Sequence, residues 1–153
     1  MVESSANHAA LLVELESALL AEFGARSIFR AIPRYTHDRA LIDMLGKLCQ
    51  EQDEVIPRVQ QLLRDLGARP KRKSWRRVVL ANLLALWAWP FTVRLPLRVC
   101  ADAEETKARW YGHFHRYFQA LGDAAHAERC GELQLVKLRD MQALQAWVEH
   151  LPR

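Results

Sequence analysis

Residues 21–29, Ala21-Glu22-Phe23-Gly24-Ala25-Arg26-Ser27-Ile28-Phe29, place one carboxylate inside an otherwise apolar helical stripe. Leu19, Glu22, Arg26 and Phe29 recur at steps of three and four residues, which puts them on one face of a helix. A carboxylate on an inward face is costly unless a partner lies inside with it. What Glu22 meets in the core therefore decides how the rest of the chain is arranged.

Length and composition bound the class of protein. A chain of 153 residues is long enough for one domain with a sizeable core. Lys and Arg number 22 against 18 acidic residues, a net charge of +4, and eight of the basic residues lie between Leu66 and Ala101, where there is no acid. The three cysteines lie far apart and form no CxxC pair, which argues against a zinc site or a disulfide framework. We therefore expect a reducing, cytoplasmic environment.

Apolar periodicity predicts four long helices and no strand, over about residues 7–32, 37–66, 98–120 and 124–151. Pro33 is expected to end the first helix, Thr36 to cap the second, and Pro57 to kink the second. Gly122 and Asp123 form the turn and cap before the last helix. The predicted fold is all-α, with short loops that make helices one and two, and three and four, antiparallel neighbours.

The segment at about 69–97 differs from the rest of the chain. A basic cluster precedes residues 78–93, a run of 16 residues without charge, which is shorter than the ~20 residues of a membrane span. Basic residues beside an apolar, Trp-rich run favour a helix lying in a membrane interface. The residues that carry this prediction are Arg72, Lys73, Trp75, Arg76, Arg77, Trp87 and Trp89. The alternatives are a buried bundle helix with a solvated basic loop, and a nucleic-acid-binding cluster, which the adjoining apolar run disfavours.

Each predicted helix also carries a polar group expected to point inward, as in a bundle-core site. In chain order these are Glu22, Glu51 with Glu54, Glu104, and Gln142 with Gln145. Any of them could instead be a polar residue at the edge of an ordinary core. The order of these polar groups over four helices nevertheless follows the pattern of di-iron carboxylate bundles.

This ordered set resembles the demethoxyubiquinone hydroxylase family, ferritin-like enzymes of ubiquinone biosynthesis. Residues 22–29 resemble the family's first-helix motif, 50–54 its Glu-x-x-His helix, 101–111 its third helix, and 139–145 its Arg-Asp-x-Glu-x-x-His motif. The resemblance covers nearly the whole chain. It implies a ferritin-like antiparallel four-helix bundle over residues 1–153, with an extra apolar segment between helices two and three. It also implies metal ligands at Glu22, Glu51, Glu54 and Glu104.

The chain departs from the family pattern at three ligand positions. Glu54 and Gln145 stand where the family has histidines, and Gln142 stands where it has a glutamate. A neutral amide is a poor metal ligand, and an oxygen-only shell suits Mn, Mg or Ca better than iron. The expected cofactor is therefore either none or a di-metal pair of iron or manganese.

Basic residues follow several of these acids at helical spacing. Arg26 follows Glu22 by four residues, Arg58 follows Glu54 by four, and Lys107 follows Glu104 by three. Each could pair with its acid on the same helix and replace a metal as counter-charge, or could point to solvent.

Three functions remain open on this basis. The first is a membrane-associated accessory protein with an incomplete metal site that binds a quinone or lipid. The second is an active di-iron or manganese monooxygenase acting on a quinone or an isoprenoid-tailed aromatic. The third is a helical interaction module. We expect the chain to lie on the inner face of the membrane, with a partner enzyme or a second copy as candidate partners and no nucleic acid.

Overall fold

Four long helices build the fold. The computed structural model describes residues 2–70 and 93–151. Its long helices are α1 (Val2–Ala31), α2 (Arg39–Asp65), α3 (Arg94–Ala120) and α4 (Ala124–His150), and a short 3₁₀ helix (Ile32–Tyr35) follows α1. No strand occurs in either described range. Within these residues, the prediction of an all-α protein with four long helices is confirmed.

The ends of the first two helices follow local backbone chemistry. Helix α1 ends at Ala31, and Pro33 lies in the first turn of the 3₁₀ helix, where its missing N–H is not needed. Asp38 caps α2, since its Oδ1 accepts a hydrogen bond from Leu41 N at 3.2 Å. The prediction that Thr36 is the cap was wrong. Its hydroxyl instead accepts from Asp38 N at 3.2 Å and so orders the residue that does cap the helix.

The later helix ends are close to those predicted. Helix α3 begins at Arg94 rather than near residue 98, because Pro96 lies in its first turn, where proline is tolerated. Gly122, at φ +75°, provides the left-handed backbone that ends α3. Asp123 then caps α4 by accepting from His126 N at 3.2 Å, as the sequence predicted.

The helices pack as two antiparallel pairs, α1 with α2 and α3 with α4, and the pairs meet through α1–α3 and α2–α4. The first half of α1 packs against the last half of α3, and the last half of α2 against the first half of α4. Helices α2 and α3 therefore run in the same direction. It follows that the chain between residues 66 and 93 connects opposite ends of the bundle.

The core consists of two apolar clusters separated along the bundle axis. The first apolar cluster joins the early part of α1 to the late parts of α2 and α3, through side chains such as Leu15, Val59 and Phe114. The second joins the late part of α1 to the early parts of α2 and α3, through Phe29, Leu45 and Leu97. Between them every helix turns at least one buried polar side chain inward.

The predicted membrane-interface segment is largely outside the described residues. Its residues 71–92, which include all seven side chains proposed to meet lipid, are among those that the structure does not describe. Within the described residues, no helix combines the length and the apolar character needed to cross a bilayer.

Two glycines of the helices have opposite surroundings, which gives a test of the packing. A Cβ at Gly46 of α2 would meet nothing within 4 Å, whereas one at Gly112 of α3 would lie 2.6 Å from Gln134 Nε2 of α4. We expect Gly46→Ala to raise the free energy of unfolding by about 0.5–1 kcal/mol through helix propensity. Gly112→Ala should gain less or lose stability, because Gln134 must move. Urea denaturation measures both variants, and a full gain at Gly112 would contradict this packing. Adding Gln134→Ala should restore the gain at Gly112.

Candidate functional site: a buried polar layer

Six buried polar side chains form one layer across the middle of the bundle. They are Glu22 from α1, Gln52 from α2, Glu104 and Lys107 from α3, and Lys137 and Asp140 from α4, and none exposes more than 1% of its surface. On each helix these residues lie between members of the first apolar cluster and members of the second. The layer therefore lies where the two clusters meet. We refer to these six residues as the polar layer.

Two ammonium groups each bridge the same two carboxylates. Lys107 Nζ lies 2.8 Å from Glu22 Oε2 and 2.7 Å from Glu104 Oε1. Lys137 Nζ lies 3.2 Å from Glu22 Oε2 and 3.3 Å from Glu104 Oε2. The four charges close an ionic ring that ties α1, α3 and α4 together.

Neutral donors complete the shell around Glu22. The hydroxyl of Tyr111 donates to Glu22 Oε1 at 2.9 Å. The surrounding hydrogen bonds fix the orientation of the Gln52 amide, whose nitrogen donates to Glu22 Oε2 at 2.6 Å and whose oxygen accepts from Lys137 Nζ at 2.5 Å. Helix α2 therefore joins the ring through Gln52. Glu22, with partners on three other elements, is the most fully paired anion of the layer.

The pKa values reflect this arrangement. Burial raises the pKa of Glu22, but the charges of Lys107 and Lys137 outweigh burial, so that the net pKa is lowered and Glu22 stays ionised. Burial lowers the pKa of Lys137, and the charges of Glu22, Glu104 and Asp140 more than reverse this, which keeps Lys137 an ammonium. Burial raises the pKa of Glu104, and the two lysines offset only part of that effect. Burial and the neighbouring Glu22 carboxylate raise the pKa of Tyr111 well above its usual range, so its hydroxyl remains a donor.

Asp140 faces two environments. Its Oδ2 accepts from Lys137 Nζ at 3.1 Å, while its Oδ1 and Glu51 Oε2 are buried with no donor among the described residues. When Asp140 is protonated, its hydrogen bond with Glu51 gives both oxygens a partner. Burial, followed by this hydrogen bond with Glu51, raises the pKa of Asp140 to about 7.

A cleft open to solvent lies beside the layer, on the side where α2 and α4 face each other. The cleft has a volume of about 280 Å³ and is lined by Glu51, Glu54, Arg58, Val136 and Arg139, among others. Glu51 Oε1 lies 2.7 Å from Arg139 Nη2 at the surface, while its other oxygen is buried beside Asp140. Glu51 is thus the link between the cleft and the polar layer.

The structure brings together only some of the residues that the sequence placed in a metal site. Glu22, Glu104 and Lys107 meet in the polar layer, and Glu51 lies at its edge. Glu54, Gln142 and Gln145 are exposed.

The two arginines predicted as counter-charges lie outside the polar layer. Arg26 pairs with Asp53 at 2.8 Å rather than with Glu22. Arg58 pairs with Glu132 of α4 rather than with Glu54.

Sequence reasoning missed Gln52, Tyr111, Lys137 and Asp140 as members of the site. The buried positions of α4 are Ala127, Cys130, Leu133, Lys137, Asp140 and Leu144, at steps of three or four residues. The sequence analysis instead took Gln142 and Gln145 as the inward polar groups of this helix. Lys137 and Asp140 continue the spacing of Cys130 and Leu133 without a break, and this continuity could have identified them from the sequence.

The residues present do not fit a pair of metal ions. The space between Glu22 and Glu104 is filled by two ammonium groups, and three of the ligand positions implied by the family resemblance are on the surface. Within residues 2–70 and 93–151, no three His, Cys, Asp or Glu side chains are placed to hold a metal. The positive charge that such a carboxylate layer needs comes instead from lysine.

No protein-family model, curated protein or solved structure matches the chain.

Removing one ammonium should be far more damaging than removing a surface lysine. We expect Lys137→Met to lower the free energy of unfolding by about 3–5 kcal/mol, because the buried carboxylates of Glu22 and Glu104 then share the single counter-charge of Lys107. Lys47→Met, at an exposed position on α2, is the matched control and should change stability by less than about 0.5 kcal/mol. Guanidinium denaturation followed by circular dichroism measures both, and equal effects would contradict the buried ring.

Asp140 should make stability depend on pH. Its carboxyl has a pKa of about 7 in the folded chain against 3.8 ordinarily, so the folded state keeps a proton that the unfolded chain releases. Protonated Asp140 therefore contributes its full stabilisation to the folded state below about pH 4. This contribution, at most ~4 kcal/mol, is lost as the pH rises to 7.

The Asp140→Asn variant removes this titration while keeping the side-chain shape. Urea denaturation at pH 5 and pH 8 should show a smaller loss of stability for Asp140→Asn than for the natural chain. Asp43→Asn, at an exposed position of α2, serves as control and should behave like the natural chain. An Asp140→Asn curve parallel to that of the natural chain would show that Asp140 holds no proton near neutrality.

Proposed function

We propose that this chain is a ferritin-like relative of the quinone-ring hydroxylases that does not activate oxygen. Its role is that of a membrane-associated accessory protein that binds a quinone or another isoprenoid lipid. One observation carries the proposal: each of the Lys107 and Lys137 ammonium groups bridges Glu22 and Glu104. Lysine cannot bind oxygen or change oxidation state, so this layer holds the bundle together without supplying that chemistry.

The topology supports the ferritin-like part of the proposal. Ferritin-like bundles have one long crossover among otherwise short loops. Here α2 and α3 run in the same direction, and the chain between residues 66 and 93 connects opposite ends of the bundle. The order of the carboxylates along the sequence supports the same relationship.

The start of α3 supports the membrane part. Leu95 and Val99 lie one helical turn apart and expose 54% and 53% of their surfaces, and Arg94 and Arg98 lie beside them. This face follows directly after the uncharged run at residues 78–93 and the basic cluster before it. Exposed apolar side chains with arginine neighbours suit the boundary between headgroups and acyl chains of an anionic membrane.

Binding to anionic vesicles tests the membrane role. The variant Arg72→Ser/Lys73→Ser/Arg76→Ser/Arg77→Ser should bind phosphatidylglycerol vesicles at least tenfold more weakly, since each basic residue near the surface contributes about 1 kcal/mol. The control Arg34→Ser/Arg39→Ser/Lys47→Ser/Arg109→Ser removes the same charge from exposed positions elsewhere and should retain most of the binding. Co-sedimentation with vesicles, with and without a long-chain quinone, measures the affinity. Equal loss in both variants would show only non-specific attraction, and binding to DNA but not to vesicles would overturn the membrane role.

Metal analysis tests the absence of oxygen chemistry. Protein produced in medium supplemented with iron and manganese should contain far less than one equivalent of either metal per chain. About two equivalents, lost in Glu51→Ala, would instead indicate a working di-metal oxygenase with an unusual ligand shell.

A further inference from the structure

The surroundings of the Lys137 ammonium group resemble the ligand shell of a bound cation. Four oxygens surround Nζ, at 3.2 Å from Glu22, 2.5 Å from Gln52, 3.3 Å from Glu104 and 3.1 Å from Asp140. Each of these oxygens comes from a different helix. No other charged group of the layer has a partner on every helix of the bundle.

We propose that Lys137 Nζ fills a cation site built from one oxygen ligand on each of the four helices, and that this tethered ammonium keeps divalent metal ions out. The inference concerns the polar layer alone, so it does not depend on whether the chain binds lipid.

The charges of the layer favour this assignment. Above about pH 7, where Asp140 is ionised, the layer without Lys137 holds the carboxylates of Glu22, Glu104 and Asp140 against the single ammonium of Lys107. One divalent cation at the vacated position brings the sum of these charges to zero. A metal ion would therefore balance the layer better than water could, because water carries no charge.

The ligand types decide which metal suits the vacated position. Three carboxylates and an amide oxygen form an all-oxygen shell, which suits Mn²⁺, Mg²⁺ or Ca²⁺ rather than a thiophilic ion. Oxygen atoms lie about 2.0–2.6 Å from Mg²⁺ or Ca²⁺, so the carboxylates must move inward from their distances to the ammonium. Lys137 prevents that contraction in the natural chain, because its nitrogen and its side-chain carbons occupy the space.

The test is the variant Lys137→Ala, which removes the ammonium and leaves room for an ion. In 1 mM MnCl₂ the melting temperature of Lys137→Ala should rise by several degrees, and electron paramagnetic resonance should show one bound Mn²⁺ per chain. The natural chain and the exposed-site control Lys47→Ala should show neither change. Lys137→Ala/Glu104→Gln should bind Mn²⁺ at least tenfold more weakly, because one ligand charge is lost.

Two results would overturn the inference. One is a folded Lys137→Ala that binds no Mn²⁺, and the other is equal Mn²⁺ binding by the natural chain. If Lys137→Ala is unfolded in the absence of metal, recovery of its helical circular dichroism on adding MnCl₂ supports the inference.

A second variant decides the matter if Lys137→Ala does not fold even with metal. Lys137→Ala/Asp140→Asn removes one positive and one negative charge together, and so keeps the net charge of the natural layer. It should fold and bind Mn²⁺ weakly through Glu22 and Glu104. A folded double variant with no Mn²⁺ binding would overturn the proposal.

Discussion

The rest of the structure depends on the pairing of the Glu22 carboxylate with two buried ammonium groups. Glu22 receives Lys107 from α3, Lys137 from α4 and, through Gln52, a hydrogen bond from α2. A buried charge that loses its partner is strongly destabilising, so α1, α3 and α4 cannot slide by one residue without leaving a charge unpaired. Helix α2 cannot slide without breaking the hydrogen bonds of Gln52. The two apolar clusters supply most of the burial, but they would tolerate such a slip far better. The ring therefore selects the register at which four similar helices meet.

Much of the fold can be predicted from the periodicity of apolar residues in the sequence. The residues of the site can be predicted only on helices where that periodicity is intact. In α3, Cys100, Glu104, Tyr111 and Phe118 follow one another at steps of four or seven residues, which places them on one helix face, and all four are buried. In α4 the inward face contains a lysine and an aspartate, which weaken the apolar signal, and Gln142 and Gln145 were taken as the inward polar groups instead. In α2, Gln52 continues the spacing of Leu48 and Val55, but the family resemblance directed attention to Glu51 and Glu54 instead.

The ion pairs show a second limit of inference from sequence. Spacing along one helix predicted that Arg26 pairs with Glu22 and Arg58 with Glu54, and such pairs are worth only a few tenths of a kcal/mol. Both arginines instead reach acids on a neighbouring helix, Asp53 and Glu132. Only Lys107 pairs as predicted with the acid three residues before it, and it does so because that acid is buried and needs a counter-charge. Partners on other helices cannot be identified until the packing of the helices is known.

Stability alone does not explain a charged layer at the centre of this core. Replacing a buried ion pair with apolar side chains of similar volume is often neutral or stabilising, so an all-apolar middle would fold at least as well. The layer also leaves Glu104 Oε2 without a hydrogen bond, with only the Lys137 ammonium at 3.3 Å to offset its charge, which a core optimised for stability would avoid. What the layer adds is specificity, because its pairings form only when all four helices meet at one register.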